Sequence, residues 1–213
     1  MVIAIDGPAG VGKSTIAKMI AQKGGLYYLN SGNFYRAVTL KHLQTGGDFN
    51  DREACIHTAQ TADISIVDGH FLLDGQCVDD KLHNSGVDMN ASRISCIPEV
   101  REAVNRRINA VCKGMDIICE GRDMTTVVFP DAEFKFYFDA EPEVRARRRY
   151  LQNPGEGTFE EVLRSIRERD ENDRNKPVGA LKIAPGAHII DTSYLTITEV
   201  CEKVLSVVKA AKF

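Results

Sequence analysis

Short apolar runs alternate with amphipathic segments along this chain, and the alternation predicts strands that are followed by helices. Five runs have the composition of buried parallel strands: 2–6, 26–29, 116–119, 133–138 and 188–191. Segments with helical spacing follow or separate them: 13–23, 33–45, 98–113, 142 onward, 158 onward and 196 to about 211. This order predicts an α/β fold, a doubly wound parallel sheet with helices on both faces and with ligands at the carboxyl ends of the strands.

Residues 64–78 have a different pattern. Two short apolar runs there are joined by Asp68-Gly69 and Asp74-Gly75, which are typical hairpin turns. We therefore expect a small antiparallel sheet, inserted into the larger fold.

Glycine, proline and capping residues mark the predicted helix ends. Gly24-Gly25 ends the first helix, and residues 153–157 (Asn-Pro-Gly-Glu-Gly) break the one that begins at Pro142. The sequences Thr158-x-x-Glu161 and Thr196-x-x-Glu199 are capping boxes and predict two further helix starts.

Composition limits the possible functions. The 213 residues include 43% hydrophobic and 27% charged residues, ordinary values for one domain or for a core with an inserted subdomain. A formal net charge of −3 argues against a nucleic-acid partner. No apolar run approaches the roughly 18 residues of a membrane span, and no secretory signal pattern occurs, so we expect a cytoplasmic protein without a membrane partner. The six cysteines and five histidines form no metal or redox motif.

A glycine-rich motif lies between the first predicted strand and helix. Residues 7–14 read G-P-A-G-V-G-K-S and match the phosphate-binding pattern G-x-x-x-x-G-K-[ST] in its strand–loop–helix context. The glycines let backbone N–H groups surround a phosphate chain, and the helix adds its partly positive N-terminus. The motif predicts a bound nucleoside triphosphate, with Lys13 on its β- and γ-phosphates and the Ser14 hydroxyl on Mg²⁺. The predicted nucleotide-binding residues are Gly7, Pro8, Ala9, Gly10, Val11, Gly12, Lys13, Ser14 and Thr15.

Three polar clusters, at 30–36, 120–123 and 167–176, accompany these elements. Alone, each has an ordinary explanation: a helix start with Ser31 as N-cap, a surface ion pair, and a solvated helix face. With the phosphate-binding motif they favour a kinase whose acceptor is an anion, because such an acceptor needs arginines from several elements. An ionised acceptor needs no strong general base, so catalysis would depend on positioning and charge stabilisation. We expect the basic segment 145–149 to close over the triphosphate as a lid.

Six segments, in order along almost the whole chain, carry a family resemblance: 5–15, 30–38, 120–132, 167–173, 177–182 and 190–192. With these segments the chain resembles the bacterial cytidylate kinases of the nucleoside monophosphate kinase superfamily. The block E-G-R-D-M-T-T-V-V-F-P-D-A at 120–132 is highly specific, whereas the motif at 7–14 alone would fit many enzymes.

The resemblance implies a P-loop NTPase-type core at about 1–30, 99–141 and 177–213. It also implies an inserted monophosphate-binding subdomain with a small β insertion at about 31–98, and a helical lid at about 142–176. The implied reaction transfers a phosphoryl group from ATP, with Mg²⁺, to CMP or dCMP. A monomer is the expectation for the family.

The resemblance also implies roles for individual residues. Arg36 and Arg122 would bind the acceptor phosphate, and Lys13, Arg122, Arg148 and Arg149 would act on the transferring group. Six residues would bind the nucleoside: Ser31, Arg169 and Asp173 at the pentose, and Ser92, Arg101 and Asp123 at the cytosine edge.

Two of these implied residues bear on specificity. The Asp123 carboxylate would accept a hydrogen bond from the cytosine amino group, which uracil lacks, and would therefore disfavour UMP. Lys176 stands where the family usually has an arginine on the acceptor phosphate, so it keeps the charge without the two-pronged geometry.

Rival functions remain open at the level of the residues. A kinase of another small acceptor, such as UMP, AMP or shikimate, would share the phosphate-binding motif. A nucleotide switch would be expected to carry N-K-x-D, whereas this chain has N-K-P-V at 175–178. A nucleic-acid-binding module is disfavoured because the sequence shows no basic, aromatic-laced stripe.

Overall fold

The computed structural model describes residues 1–152 and 157–210, so most of the predicted break at 153–157 and the predicted helix end at 211 lie outside the described residues. The chain forms two compact units. The first unit comprises Met1–Leu29 and Met115–Phe213, and the second comprises Asn30–Gly114.

A five-stranded sheet with the order β2-β6-β1-β7-β8 forms the centre of the first unit. Its strands are β1 (Val2–Asp6), β2 (Tyr27–Asn30), β6 (Ile117–Gly121), β7 (Phe134–Asp139) and β8 (His188–Asp191). The pairs β1–β6, β1–β7 and β7–β8 are parallel, as the apolar runs predict. Asp6 at the end of β1 is in register with Gly121 of β6 and Tyr137 of β7, so the loops after these three strands leave the same edge of the sheet.

Within the described residues, four α-helices belong to the first unit: α1 (Lys13–Gly24), α6 (Pro142–Gln152), α7 (Phe159–Asn175) and α8 (Ile197–Ala210). α1 and α8 share an apolar core with the sheet, in which Ile16, Ile20 and Val204 pack with Ile5 and Phe136. This burial fixes α1 against the end of β1, where the glycine-rich loop lies. The parallel sheet with its helices confirms the predicted α/β class.

Three of the predicted helix-end signals are confirmed. Thr158 and Glu161 form the reciprocal capping box at the start of α7, and Thr196 and Glu199 exchange the corresponding hydrogen bonds before α8. Gly25 ends α1 in the left-handed conformation with φ 63°.

The second unit contains four helices and a small sheet. The helices are α2 (Ser31–Gln44), α3 (Arg52–Thr61), α4 (Ser85–Ile94) and α5 (Pro98–Val111), and the strands are β3 (Ile64–Val67), β4 (His70–Leu73) and β5 (Gln76–Cys77). The three strands are antiparallel, as predicted. Asp68, Gly69, Asp74 and Gly75 all have positive φ, the backbone that two-residue hairpin turns of type I′ require.

Several local expectations differ from the structure. Ser31 is not the N-cap of α2, because the Asn30 side chain accepts the hydrogen bond from the Gly32 N–H at 3.0 Å. The short helices α3 and α4 were not predicted. Contacts group residues 99–114 with the second unit because α5 packs against α3 and α2, whereas the resemblance implies a core that includes these residues.

Candidate active site

The loop between β1 and α1 has the backbone that phosphate binding requires. Gly7, Gly10 and Gly12 have φ values of 153°, 82° and 90°, which side-chain-bearing residues rarely adopt. A Cβ on Gly7 would lie 2.2 Å from the carbonyl oxygen of Phe138 in β7, so only glycine fits there. The loop is thus held close to the sheet edge, with the N-terminus of α1 directly after it.

Lys13 is 5% exposed and lies beneath the loop. Its Nζ donates to the carbonyl oxygens of Gly7 at 2.7 Å and Pro8 at 2.8 Å. Burial, together with the positive charge of Arg122, lowers the pKa of Lys13 to about 7, while Glu120 opposes the shift. An anionic phosphate beside Lys13 would therefore restore its charge.

Ser14 and Glu120 form an oxygen-rich pair at the start of α1. The Ser14 hydroxyl donates to Glu120 Oε1 at 3.0 Å, and the Tyr28 hydroxyl donates to the same oxygen at 3.3 Å. Burial and the Glu120 charge raise the pKa of Tyr28, so its hydroxyl stays protonated as a donor. Hydroxyl and carboxylate oxygens are the ligands that Mg²⁺ prefers, and this pair fits a magnesium ion beside a bound triphosphate.

A cavity of about 620 Å³ in the first unit adjoins the glycine-rich loop. Its charged lining consists of Lys13, Glu120, Arg122, Arg148 and Arg149, so the four residues predicted to act on the transferring group line one cavity. This volume is within the usual range for small-molecule sites.

Arg148 is anchored at one wall of this cavity. Its guanidinium donates to the carbonyl oxygen of Thr192 at 2.5 Å and to the Thr192 hydroxyl at 3.2 Å. The Thr192 hydroxyl in turn contacts the carbonyl oxygen of Val11 at 3.1 Å. Burial lowers the pKa of Arg148, while Asp191 opposes the shift. The arginine is therefore positioned by the same residue that contacts the loop.

Arg122, Asp173 and Lys176 form a compact charged cluster. Asp173 accepts from Arg122 Nε at 2.6 Å and from Lys176 Nζ at 2.7 Å. Burial alone would raise the pKa of Asp173, but the hydrogen bonds from Lys176 and Arg122 hold it below its usual value. Arg169 lies one turn before Asp173 on α7, and its pKa is lowered by burial and by the nearby Arg122.

Asp123 follows the end of β6 and is 3% exposed. A π-helical turn at Met124–Val128 begins directly after it, and the Asp123 carbonyl oxygen accepts from the N–H of Val127 and of Val128. The buried Asp6 carboxylate holds this turn, because it accepts from the N–H groups of Met124 and Thr125 at 2.9 and 2.7 Å. Burial raises the pKa of Asp6, against the effect of these hydrogen bonds.

The predicted residues of the second unit lie on three of its helices. Ser31 and Arg36 are on α2, Ser92 is on the exposed side of α4, and Arg101 is on α5. Arg36 Nε pairs with Asp88 Oδ1 of α4 at 2.8 Å. The Arg101 guanidinium lies 5.6 Å from the centre of the Tyr35 ring and donates to the Ser95 carbonyl oxygen at 3.4 Å.

The whole chain, and not only the loop, matches one protein family. The family model described as Cytidylate kinase matches residues 3–210. The chain belongs to the cytidylate kinase family. A cytidylate kinase from Fervidobacterium nodosum is 44% identical over 210 residues, covering 97% of this chain and 95% of the relative. Those from Caldanaerobacter subterraneus and Clostridioides difficile are each 41% identical, covering 97% of this chain and 94% and 97% of the relatives.

Solved structures agree with the cytidylate kinase family at the level of the fold. A shikimate kinase from Bacteroides thetaiotaomicron has a TM-score of 0.54 at 12% identity and covers 98% of both chains. An uncharacterised protein from Eubacterium ventriosum has a TM-score of 0.55 at 11% identity, covering 99% of this chain and 98% of that one. Membership of the cytidylate kinase family confirms that the chain is a phosphotransferase of the P-loop kinase class.

One expectation for the cytidylate kinase lid is wrong. Arg145 does not face the cavity of the nucleotide loop but is 1% exposed and paired with Asp170 of α7. The segment 145–149 alternates in burial because α6 packs against α7, so only part of it can face solvent or ligand. Arg148 and Arg149 remain at the cavity.

Sequence reasoning also missed several partners of the site. The roles of three carboxylates were not predicted: Asp6 holds the turn at Met124–Val128, Asp88 pairs with Arg36, and Asp170 pairs with Arg145. Thr192, which contacts the loop, was noted only as part of a matching segment. A carboxylate at a strand end gives no local signal of which backbone N–H groups it will accept. In the sequence, only the position of Asp6 directly after four apolar residues marks it as unusual.

The second unit brings together three potential ligand side chains that no sequence motif indicates. His70, Cys77 and Asp79 lie together on an exposed part of the small sheet, although they are too dispersed in sequence to form a motif. His70 pairs with Asp79 at 2.8 Å, and Asp79 also accepts from the Phe71 N–H at 2.9 Å. These contacts account for the cluster as a link between β4 and the turn after β5.

Among the described residues, no helix combines the length and apolarity needed to cross a membrane.

Proposed function

We propose that this chain transfers the γ-phosphoryl group of ATP to CMP or dCMP in a Mg²⁺-dependent reaction, giving ADP and CDP or dCDP. The match of the cytidylate kinase family to residues 3–210 carries the proposal, since it includes both the nucleotide loop and the block at 120–132. The cavity that holds Lys13 together with Arg122 supports it independently, because a phosphoryl transferase needs cations at both ends of the transferring group.

The donor nucleotide would be bound by the loop and the start of α1. The backbone N–H groups of residues 9–15 would surround the β-phosphate, and Lys13 would exchange its loop carbonyls for phosphate oxygens. Ser14 and Glu120 would hold Mg²⁺, which when bound neutralises phosphate charge. Arg148 and Arg149 would stabilise the charge that develops on the transferring group.

Acceptor-binding roles are proposed for residues of each unit, taken separately. In the first unit, Arg122 and Lys176 are proposed for the phosphate, Asp173 and Arg169 for the pentose, and Asp123 for the cytosine amino group. In the second unit the proposed residues are Ser31, Arg36, Ser92 and Arg101, with Arg36 on the phosphate. Lys176 and Arg122, the two cations proposed for the phosphate in this unit, both donate to Asp173, so one carboxylate holds them near each other.

The chemistry needs no general base. A nucleoside monophosphate presents an ionised oxygen, so the protein must align it with the γ-phosphorus and stabilise the charge on the equatorial oxygens. Exclusion of water by the proposed lid at 142–176 would prevent hydrolysis of ATP. These requirements match a site that is rich in arginine and lysine.

We further propose that the enzyme acts as a cytoplasmic monomer without a nucleic-acid partner. Six free cysteines suit a reducing compartment, and a net charge of −3 gives no attraction for a polyanion. The roles of core, monophosphate-binding subdomain and lid are part of the same proposal.

An ADP-release assay with ATP and Mg²⁺ tests the proposed function. CMP, dCMP, UMP, AMP, GMP and shikimate are offered separately. We expect rapid turnover with CMP and dCMP, slow turnover with UMP and none with the others. Turnover with a different acceptor would overturn the roles of Ser92, Arg101 and Asp123, and turnover with none would favour a nucleotide switch.

A further inference from the structure

Arg145 of α6 is the largest side chain that is fully buried in the part of the chain described here. Its Nη1 donates to Asp170 Oδ1 at 2.9 Å and its Nη2 donates to Asp170 Oδ2 at 2.6 Å. Asp170 lies on α7 and is 4% exposed. A buried ion pair adds little net stability because both ions lose their hydration, so stability alone is a weak reason for this pair.

Two further N–H groups of the guanidinium donate to backbone carbonyl oxygens. Arg145 Nε donates to Ala140 at 2.9 Å, and Nη1 also donates to Ala9 at 3.2 Å. Ala9 is a residue of the nucleotide loop. The two segments are closely packed there, since a Cβ added to Gly10 would lie 3.1 Å from the Arg145 Cβ.

The contact with Ala9 fixes the direction of one loop peptide. In a trans peptide the carbonyl group and the following N–H point in opposite directions, and no cis peptide occurs among the described residues. Because the Ala9 carbonyl points at Arg145, the N–H of Gly10 points away from Arg145. Gly10 lines the cavity at the loop, so this N–H is available to a phosphate group there.

Neighbouring loop carbonyls are held in the same way. Lys13 Nζ donates to the carbonyl oxygens of Gly7 and Pro8, and the Thr192 hydroxyl donates to that of Val11. Lys13 would leave its carbonyls to bind phosphate, whereas Arg145 is fixed by a carboxylate and cannot easily follow. The Ala9 contact is therefore the one of these cationic contacts that would persist when a nucleotide binds.

We propose that the Arg145–Asp170 pair positions the nucleotide loop, by holding the Ala9–Gly10 peptide with its N–H turned toward the phosphate chain. Arg145 and Asp170 are positioning residues, since neither would touch the substrate. The proposal rests on the proposed binding of a triphosphate at this loop. Asp170 is one turn from Asp173 on α7, so the same helix also supports the Arg122 cluster.

Calorimetric titration with ADP tests the pair. The variants are Arg145→Lys, which keeps the charge but cannot reach both Asp170 oxygens and Ala9 together, and Asp170→Asn, which keeps the shape. The matched controls are Arg164→Lys and Glu171→Gln, exposed residues of α7. We expect Arg145→Lys to weaken ADP binding about tenfold and Asp170→Asn to weaken it at least about threefold, while the controls stay at the wild-type Kd.

Thermal unfolding of each variant separates positioning from simple stability. A Kd raised at least about threefold, measured well below the unfolding transition, supports the proposal, and Asp170→Asn decides if Arg145→Lys does not fold. A lowered Tm with smaller changes in Kd overturns it. Failure of the wild type to bind ADP would overturn the proposed function and this inference together, whereas unchanged binding by the variants would overturn this inference alone.

Discussion

Arg122 Nε lies 2.6 Å from Asp173 Oδ2, so the arginine proposed for the acceptor phosphate is paired with the carboxylate proposed for the pentose. Arg122 comes from the end of β6 and Asp173 from α7, 51 residues later. Each group orients the other. Binding of the acceptor should therefore depend on the contact between Arg122 and Asp173, and not only on the charge that each side chain carries.

Asp173→Asn should impair the use of CMP far more than the use of ATP. The amide keeps the size of the side chain but loses the charge that orients Arg122 and Lys176. We expect kcat/KM for CMP to fall about 10- to 100-fold, with the KM for ATP within about twofold of the wild type. Steady-state kinetics with each substrate varied in turn measure both values. Glu168→Gln, an exposed neutralisation on the same helix, is the control, and equal losses for both substrates would contradict the assignment.

Nucleotide binding should take up a proton above pH 8. Lys13 has a pKa of about 7, and a bound phosphate chain raises it, so a mostly neutral lysine becomes charged. We expect close to one proton per ADP, with affinity falling nearly tenfold per pH unit above pH 8. Titration calorimetry in two buffers of different ionisation enthalpy counts the protons. Lys13→Met should take up none, and identical enthalpies in both buffers for the wild type would refute the uptake.

A rise in pH should weaken nucleotide binding through Lys13, but the same rise should stabilise the fold. The folded chain binds fewer protons at Lys13 than the unfolded chain between about pH 7 and its ordinary pKa of 10.5. Its contribution to the free energy of unfolding therefore rises with pH over this window and is lost as pH falls through 7.

Asp123→Asn should change the choice of base. The amide N–H₂ can donate to the uracil carbonyl at the position where cytosine carries an amino group. We expect the ratio of kcat/KM for CMP to that for UMP to fall about 10- to 100-fold, with ADP affinity unchanged. Competition assays with both acceptors measure the ratio. Asp131→Asn, at an exposed position, serves as the control, and a preserved ratio would remove Asp123 from base recognition.

Ser14→Ala should raise the requirement for Mg²⁺. The variant loses the hydroxyl that pairs with Glu120 at the proposed metal position. We expect the Mg²⁺ concentration for half-maximal rate to rise at least about tenfold, with partial recovery at high Mg²⁺. The control is Ser206→Ala on α8. An unaltered Mg²⁺ dependence would show that Ser14 does not hold the ion.

Gly7→Ala should destabilise the fold, because the added Cβ would meet the Phe138 carbonyl oxygen at 2.2 Å and φ is 153°. Relief of this clash requires a shift of the loop or of β7, and we expect a loss of about 3 kcal/mol or more in the free energy of unfolding. Gly86→Ala in α4 meets no atom closer than 3.5 Å and should be neutral. Denaturant unfolding of both variants compares them, and a Gly7→Ala protein as stable as Gly86→Ala would show that the loop yields easily.

Local signals explain what the sequence predicted well. The apolar runs, the capping box at Thr158 and the turn at Asp68-Gly69 each depend on residues within a few positions, and each is confirmed. The glycine-rich motif was recognisable for the same reason, since the loop and the helix start are contiguous.

Contacts between residues far apart in the chain explain the features that could not be predicted from the sequence. Arg145 and Arg148 are alike in sequence, and only the packing of α6 on α7 decides that one pairs with Asp170 while the other lines the cavity. The π-helical turn at Met124–Val128 depends on Asp6, 118 residues earlier. Asn30 took the cap expected of Ser31 because both residue types can cap, and the difference is one position.

The central position of β1 has a consequence for biosynthesis. Its neighbours are β6 and β7, and Val2 is in register with Ile117 and Ile3 with Phe134. During translation β1 therefore has no partner in this sheet until residues of β6, more than 100 positions later, have been made. Such distant pairing slows folding and leaves an apolar strand exposed to other chains. The nucleotide loop directly follows β1, yet it gains the support of β7 only when residues beyond Phe138 have emerged.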